Sequence, residues 1–353
     1  MSITAKELAK QLHLSEAAVS MALNHKKGVS TATRKRVLAA ATVQGYDFSR
    51  IQAAKEEIEK NGIIQFIIYR KSGALVPASP ARTSNHAQIG SVGDIPFFSQ
   101  LSEGVDLACK HCHYFFHISY LYAGDHIVSQ LNEFKHMGVK GFLLLGTEME
   151  KSDLIPFMDC EIPFVLIDNY FEDLNLNYVT INNIQGAFLA TEYLLRKRHA
   201  QPGYLRSSYP ITGFDERADG FYKAIRKNGM STSRSLVHKL TPSVEGAYSD
   251  MIELLSENEA LSECYFADND LIAAGAIRAL QEKGYRIPQD ISVIGFDDMP
   301  LCTYITPTLT TVHVPKQYMG EIAVKRLSEM IANPSASPVK IEIATSLIKR
   351  KSC

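Results

Sequence analysis

Three groups of residues in this chain have the types and spacing to do chemistry. Cys109-Lys110-His111-Cys112-His113 has the spacing of a c-type haem attachment site and the donors of a metal site. Haem attachment requires export, yet the chain opens on Ser2-Ile3-Thr4 with no apolar signal segment. A tetrahedral zinc site would need a second paired cluster, and none follows. Asp268, Asp270, Asp297 and Asp298 have the acidity for general acid–base work or for magnesium. No nucleophile–base arrangement and no phosphate loop accompanies them, so ligand binding is favoured over catalysis. No catalytic residue, metal or cofactor is therefore expected. The third group is N-terminal. Ser15, Glu16, Ala17, Ser20, Met21 and Asn24 can offer polar and apolar contacts to base edges, and Lys26, Lys27, Arg34 and Lys35 can neutralise phosphates. Met21 would touch a thymine methyl, or else pack in the core.

The elements that must position this third group are marked by start signals. Thr4 with Glu7 has the spacing of a capping box, Ser15 precedes Glu16-Ala17-Ala18-Val19, and Ser30 opens Thr31 to Gln44. A side-chain oxygen at each start satisfies backbone N–H groups that have no partner in the helix, and Gly45 is a natural stop. Only His13-Leu14 separates the first two patterns, which is the tight connection of a helix-turn-helix. Such a unit presents its second helix, about Ser15 to Leu23, to the major groove of DNA. Ala9, Val19, Leu23, Val37 and Leu38 are the expected small core. Charge agrees: residues 1–50 hold eight basic and three acidic side chains, while the whole chain nets −1. A basic head on an acidic body fits a nucleic-acid binder with a separate regulatory domain.

The remainder is large enough to build full cores: 353 residues, 46% of them hydrophobic. No apolar run approaches the ~18 residues of a membrane span, so no membrane partner is expected. Six irregularly spaced cysteines point to free thiols. After residues 47–62, a linker with the charged run Lys55 to Lys60, the pattern becomes short apolar strands alternating with amphipathic helices. Strands are expected at 63–69, 114–120, 141–145, 164–167, 178–181, 203–206, 236–240, 264–267 and 292–296. Helices are expected at 97–110, 126–137, 187–197, 214–228, 244–256 and 271–283. That alternation implies parallel sheets covered on both faces, and the strand number implies two similar lobes. Lys71 to Asp94 is rich in Ser, Pro, Gly, Asn and Ala and reads as a long loop. No repeat of fixed period is visible.

ELAKQLHLSEAAVSMALNHKKGVSTATRKRVLAAATVQGY resembles the DNA-binding domain of the lac repressor family, the LacI/GalR-type regulators. The resemblance continues through IPFF (95–98), VLIDNY (165–170), ERADGFYKAI (216–225), FADNDLIAAGAIRAL (266–280), DISVIGFDD (290–298), PTLTTV (307–312) and the closing LIKRKSC. It implies an all-α helix-turn-helix head (1–46), a hinge (47–62) and an α/β two-lobed periplasmic-binding-protein-like body with parallel sheets (63–353). The N-lobe would take about 63–182 and 313–335, and the C-lobe about 183–312 and 336–353. Asp168, Arg217, Asn269 and Asp297 fall on the family's effector-binding positions, with Tyr69, Phe97 and Phe98 as an apolar wall. Two carboxylates, a guanidinium and an amide suit a polyhydroxylated ligand.

Several positions depart from the family. Met21 stands where an arginine is usual and cannot read guanine bidentately. The hinge offers Lys55 where an apolar wedge is usual, followed by Glu56, Glu57 and Glu59, so minor-groove kinking should be weak. At Thr241 the family often stacks an aromatic on the sugar ring; no Trp exists here, and Tyr209 is the substitute considered. The 71–94 loop follows a strand end and is expected to act as a lid or as a plain surface insertion. The expectation is a cytoplasmic, homodimeric transcription regulator and not an enzyme. Its partners would be operator DNA and a small-molecule effector, a sugar or related metabolite. The other readings are a solute-binding receptor without DNA function and a regulator of nucleoside or other metabolite genes.

Overall fold

A computed structural model describes residues 3–24, 28–48, 61–71 and 96–353. The chain divides into two compact units, Met1–Gly62 and Ile63–Cys353.

In the first unit, helices run Ala5–Leu12, Glu16–Leu23 and Thr31–Val43. Each begins as its cap dictates. Thr4 Oγ1 accepts from Glu7 N at 3.3 Å while the Glu7 carboxylate accepts from Thr4 N at 2.8 Å. Ser15 and Ser30 Oγ accept from Ala18 N and Thr33 N, each at 3.1 Å. The first helix ends on His13 in the left-handed region (φ 52°), and Gly45 (φ 66°) follows the third. The core is Leu8, Ala9, Val19, Ala22, Leu23, Val37 and Ala41. Leu38 is only half-buried at its edge; Leu8, Ala22 and Ala41 complete the core instead. Arg36 donates to the Leu12 carbonyl, tying the third helix to the end of the first.

Among the described residues of the second unit, twelve strands form two six-stranded sheets. The first has the order β11-β5-β4-β3-β1-β2: Lys340–Ile343, Tyr178–Ile181, Phe164–Ile167, Val139–Leu145, Ile63–Arg70, Phe115–Tyr122. The second runs β12-β10-β9-β8-β6-β7: Ser346–Ile348, Thr310–His313, Ser292–Asp297, Cys264–Ala267, Gly203–Ser207, Val237–Leu240. Matched position by position, the two orders are one topology used twice. This repeat lives in the connectivity and leaves no fixed sequence period. β1 is buried along all eight residues, as a strand covered on both faces must be. All pairings are parallel except β10 with β12, which is antiparallel.

The chain crosses between lobes three times. It leaves the first sheet after β5, returns after β10 through the helix Lys316–Ala332, and leaves again between β11 and β12. The expected assignment of 336–353 to the C-lobe is therefore corrected. Lys340–Ile343 pairs with Tyr178–Ile181, so the first lobe extends to Ile343 and the second resumes at Ser346. β11 alternates exposed and covered residues as an edge strand does, and it is too short to register as a sequence pattern. Among the described residues no helix is long and apolar enough to cross a membrane. The linker's central residues and the 72–95 loop, with the expectations for Lys55 and for a lid, lie outside the described residues.

Candidate functional site

The strands of both sheets end on one cleft. From the first lobe come Phe97 and Phe98 at the start of the helix after β1, Thr147 after β3, and Asp168 after β4. From the second come Arg217 and Phe214 on the helix Thr212–Lys227, Asn269 after β8 and Asp297 ending β9, with Ile211, Pro242, Leu271 and Met299 between them. Six of the seven expected effector residues thus line one space.

Tyr69 is the exception. It is only 2% exposed and does not line the cleft; its phenol interacts with Asp153 instead, and burial holds its pKa well above the usual range. Phe97 and Phe98 therefore form the aromatic wall with Phe214, whose place on the helix after β6 the sequence reading missed. Tyr209 does not reach the inner cleft either, and Thr241 is absent from its lining.

Arg217 is the hub. Its guanidinium is 5% exposed and lies 3.8 Å over the Phe296 ring. Nε donates to Asn183 Oδ1 at 2.9 Å, Nη1 to the Asp268 carbonyl, and Nη2 to Asp297 Oδ1 at 3.1 Å. Gly220, one turn on, permits this: a Cβ there would stand 2.3 Å from the Ile184 carbonyl, so only glycine lets the two helices approach closely enough. Asp168 accepts from Thr147 Oγ1 at 2.6 Å, which aims one carboxylate oxygen and leaves the other for the cleft. Asn269 caps the helix Asp270–Glu282, its Oδ1 accepting from Ile272 N at 2.9 Å, so its amide nitrogen is the part left to a ligand. Asp168 (φ 65°), Asp297 (φ 105°) and Asp298 (φ 55°) all hold the left-handed side of backbone space. Such strain collects at binding sites because the surrounding fold pays for it.

Two further groups escaped the sequence reading. Lys316 opens its helix buried (2% exposed), with its ammonium on the Asp297, Asp298 and Val314 carbonyls and 5.7 Å from the Phe97 ring centre. A lysine after proline reads as a surface charge, so no signal announced it. Glu216, beside Arg217, accepts from Tyr170 OH at 2.9 Å and from Asn183 Nδ2 at 2.9 Å, linking a first-lobe tyrosine to the second lobe.

Burial dominates the titration of this region. It raises Asp168 and Asp268 to about 6 and Asp270 to about 7, although Thr147, Ser207 and Thr311 donate to them respectively. Asp297 is raised too, with Arg217 and Lys316 pulling it back. A carboxyl whose folded pKa lies above its unfolded value stabilises the fold fully at low pH and loses that contribution as pH climbs through the folded value. The body's Tm should therefore fall as pH rises from about 4 to about 7, the window set by these groups. Asp270→Asn should flatten the upper part of that slope in a calorimetric pH series; an unchanged slope rejects Asp270 as its source.

In the head, Glu16, Ala17 and Ser20 of the second helix and its cap Ser15 are exposed. Met21 is half-buried, and a Cβ on Gly28 would stand 2.8 Å from its sulfur, so packing takes part of its surface. Asn24 is exposed, but its amide donates to the Ser20 carbonyl at 2.8 Å and closes the helix. Lys35 is exposed and Arg34 half-buried; Lys26 and Lys27 lie outside the described residues.

The Periplasmic binding protein-like domain model matches residues 191–353. The chain is 32% identical over 331 residues to the HTH-type transcriptional regulator GalS of Salmonella typhimurium, covering 92% of this chain and 88% of that one. It is 27% identical over 352 residues to the Ribose operon repressor of Haemophilus influenzae, covering 99% and 98%. Its fold matches the lac repressor dimer bound to operator and the anti-inducer ONPF with a TM-score of 0.69, at 20% identity, over 100% of this chain and 99% of that one.

Proposed function

The chain belongs to the lac repressor family of transcription regulators, and on that premise we propose that it is a dimeric operator-binding repressor whose DNA affinity is set by a small polar metabolite held between its lobes. The observation that carries the effector half is the convergence of Asp168, Arg217, Asn269 and Asp297 from both lobes on one aromatic-walled cleft. Two acceptors and two donors fixed at a lobe boundary recognise hydroxyl groups in a set geometry, and a ligand that touches both lobes favours their closed arrangement. A sugar is the first choice, with nucleosides and other metabolites next. The ligand is bound and released unchanged; turnover during incubation would contradict this. A C₂ dimer is expected because two recognition helices must meet two half-sites, and the protein works in the cytoplasm, where its operator is.

The DNA half rests on the exposed Ser15–Ser20 face, with Lys26, Lys27, Arg34 and Lys35 assigned to phosphates. Each phosphate contact contributes about 0.9 to the slope of log K against log salt. Lys35→Ala should flatten the slope by about that amount and weaken operator and non-specific DNA alike. An unaltered slope removes Lys35 from the interface.

A thermal-shift screen of sugars, nucleosides and amino acids tests the whole reading. A ligand at ~100 times its Kd should add about 2.7 kcal/mol of stability, and the same hit should change operator affinity. A hit with no DNA affinity in either state would favour the solute-receptor alternative.

A further inference from the structure

Residues 1–50 carry three carboxylates, on Glu7, Glu16 and Asp47. Glu7 is spent on its capping box, accepting from Thr4 N and Thr4 Oγ1, each at 2.8 Å, and Asp47 has a partner too. The Glu16 carboxylate is exposed in the first turn of the helix Glu16–Leu23 and holds no ion pair or hydrogen bond among the described residues. The helix dipole favours a negative charge at that place. On a basic head that must approach a polyanion, however, an unpaired carboxylate is repelled by every phosphate it nears.

Its neighbours narrow what it can do. Glu16 stands four residues before Ser20, and Ala17 four before Met21, so these side chains share one side of the helix while Val19, Ala22 and Leu23 are buried in the core. Ser15 Oγ is engaged by Ala18 N at 3.1 Å. Asn24 Nδ2 is turned back on the Ser20 carbonyl at 2.8 Å and lies 3.5 Å from Ser20 Oγ, so the amide that could bond adenine is used within the helix. No arginine, lysine or glutamine lies between Ser15 and Asn24, so nothing there can bond guanine O6 and N7 bidentately. What remains is a carboxylate that only accepts, the Ala17 methyl, the Ser20 hydroxyl and the Met21 thioether. The last is seated by Gly28, where a Cβ would stand 2.8 Å from the sulfur.

An acceptor with no donor beside it suits cytosine. In the major groove the cytosine amino group has guanine O6 on one side and only a C–H on the other. The adenine amino group lies between N7 and thymine O4, two acceptors that repel a carboxylate. Methyl and thioether groups suit the thymine methyl.

We propose that Glu16 is a specificity-determining residue that selects a cytosine in each operator half-site, with Ala17 and Met21 packing on thymine methyls beside it. This rests on the operator-binding reading above and deepens it. The carboxylate acts by exclusion as well as attraction: over a base pair that offers it no free amino group it is desolvated without a donor, so wrong sequences are penalised.

The test is selection by the full chain from duplexes carrying two inverted half-sites of randomised sequence. It is run without ligand and with a mixture of ribose, galactose, glucose, adenosine and guanosine. Glu16→Gln is run in parallel, with folding checked by Tm. The parent should enrich one cytosine per half-site beside thymine. Glu16→Gln should replace that cytosine by adenine, whose N6 and N7 an amide bonds bidentately, and should bind unselected duplex more tightly. Changing the cytosine should weaken the parent by roughly 5- to 50-fold and the variant far less. Deoxyuridine in place of the neighbouring thymine removes one methyl and should cost the parent about three- to fivefold, a loss that shrinks in Ala17→Gly or Met21→Ala. A role in the helix dipole alone would shift Tm in Glu16→Gln and leave the enriched sequence unchanged, which overturns the proposal for Glu16. Indifference to deoxyuridine at every thymine overturns the methyl contacts. If the parent enriches no sequence under either condition, the operator reading itself fails and takes the base assignments with it.

Discussion

Arg217→Met should abolish the effector response and lower the body's stability by about 3–5 kcal/mol, the usual cost of removing one partner from a buried ion pair. Methionine keeps the apolar stem against Phe214 and Phe296, so the loss measures the guanidinium and not a cavity. What remains is Asp297, its side chain 15% exposed, without its hydrogen-bonded guanidinium and with only the Lys316 ammonium nearby, and the Asp268 carbonyl and Asn183 Oδ1 without their donor. Buried acceptors left unmade are costlier than the hydrogen bonds were favourable. At roughly 2–4 °C per kcal/mol for domains somewhat smaller than this body, Tm should drop by on the order of 6–20 °C. Adding Asp297→Asn removes the orphaned charge and should recover part of that drop. It should not recover ligand binding, because donor and acceptor are then both gone from the cleft. The proposal for Arg217 fails if the single variant melts within a degree of the parent and still responds to the screened ligand.

The site was legible because open α/β sheets gather ligand groups at strand ends, and Asp168, Asn269 and Asp297 each stand at the end of an apolar strand that the sequence displays plainly. Asp168 directly follows β4 and Asp297 ends β9, equivalent strands in the two copies of the topology. That equivalence was invisible as a repeat, since ValLeuIleAsp and IleGlyPheAsp share only an apolar run before an aspartate. Tyr69 was misplaced for a related reason. Ile63 to Arg70 is buried on both faces, so the run carries no alternation from which to tell which side a residue takes. The end of the chain was hard to read for the opposite reason. β10 to β12 are three or four residues each, rich in Thr, Ser, Lys and Glu, and lie toward one edge of each sheet. The head was nearly transparent, because caps are local: Thr4, Ser15 and Ser30 bond within three residues. Lys316 and the Tyr170–Glu216 link depend on chain crossings, which no local pattern encodes.

That link carries the second large effect. Asn183 stands at the first crossing between lobes, 4% exposed, and its amide faces two ways. Its oxygen accepts from the cleft arginine and its nitrogen donates to Glu216, which holds Tyr170 of the other lobe. The ligand-facing guanidinium and the lobe-to-lobe hydrogen bond are therefore positioned by one side chain. Asn183→Asp keeps the acceptor for Arg217 but sets a carboxylate against Glu216 in place of a donor. Tyr170→Phe removes only the link. Losing a hydrogen bond to a charged group costs about 1.5–3 kcal/mol, so each variant should raise the effector concentration for half-maximal operator response by roughly 10- to 100-fold. Hydrogen exchange should quicken at the start of the helix Thr212–Lys227 in both. The two separate on pH: in Asn183→Asp the close carboxyl pair takes up a proton as pH falls, restoring a donor, so its defect should shrink below about pH 6. Tyr170→Phe has no proton to regain and should stay impaired at every pH. A Tyr170→Phe protein with the parent's operator response and exchange rates would show that the lobes communicate by another route.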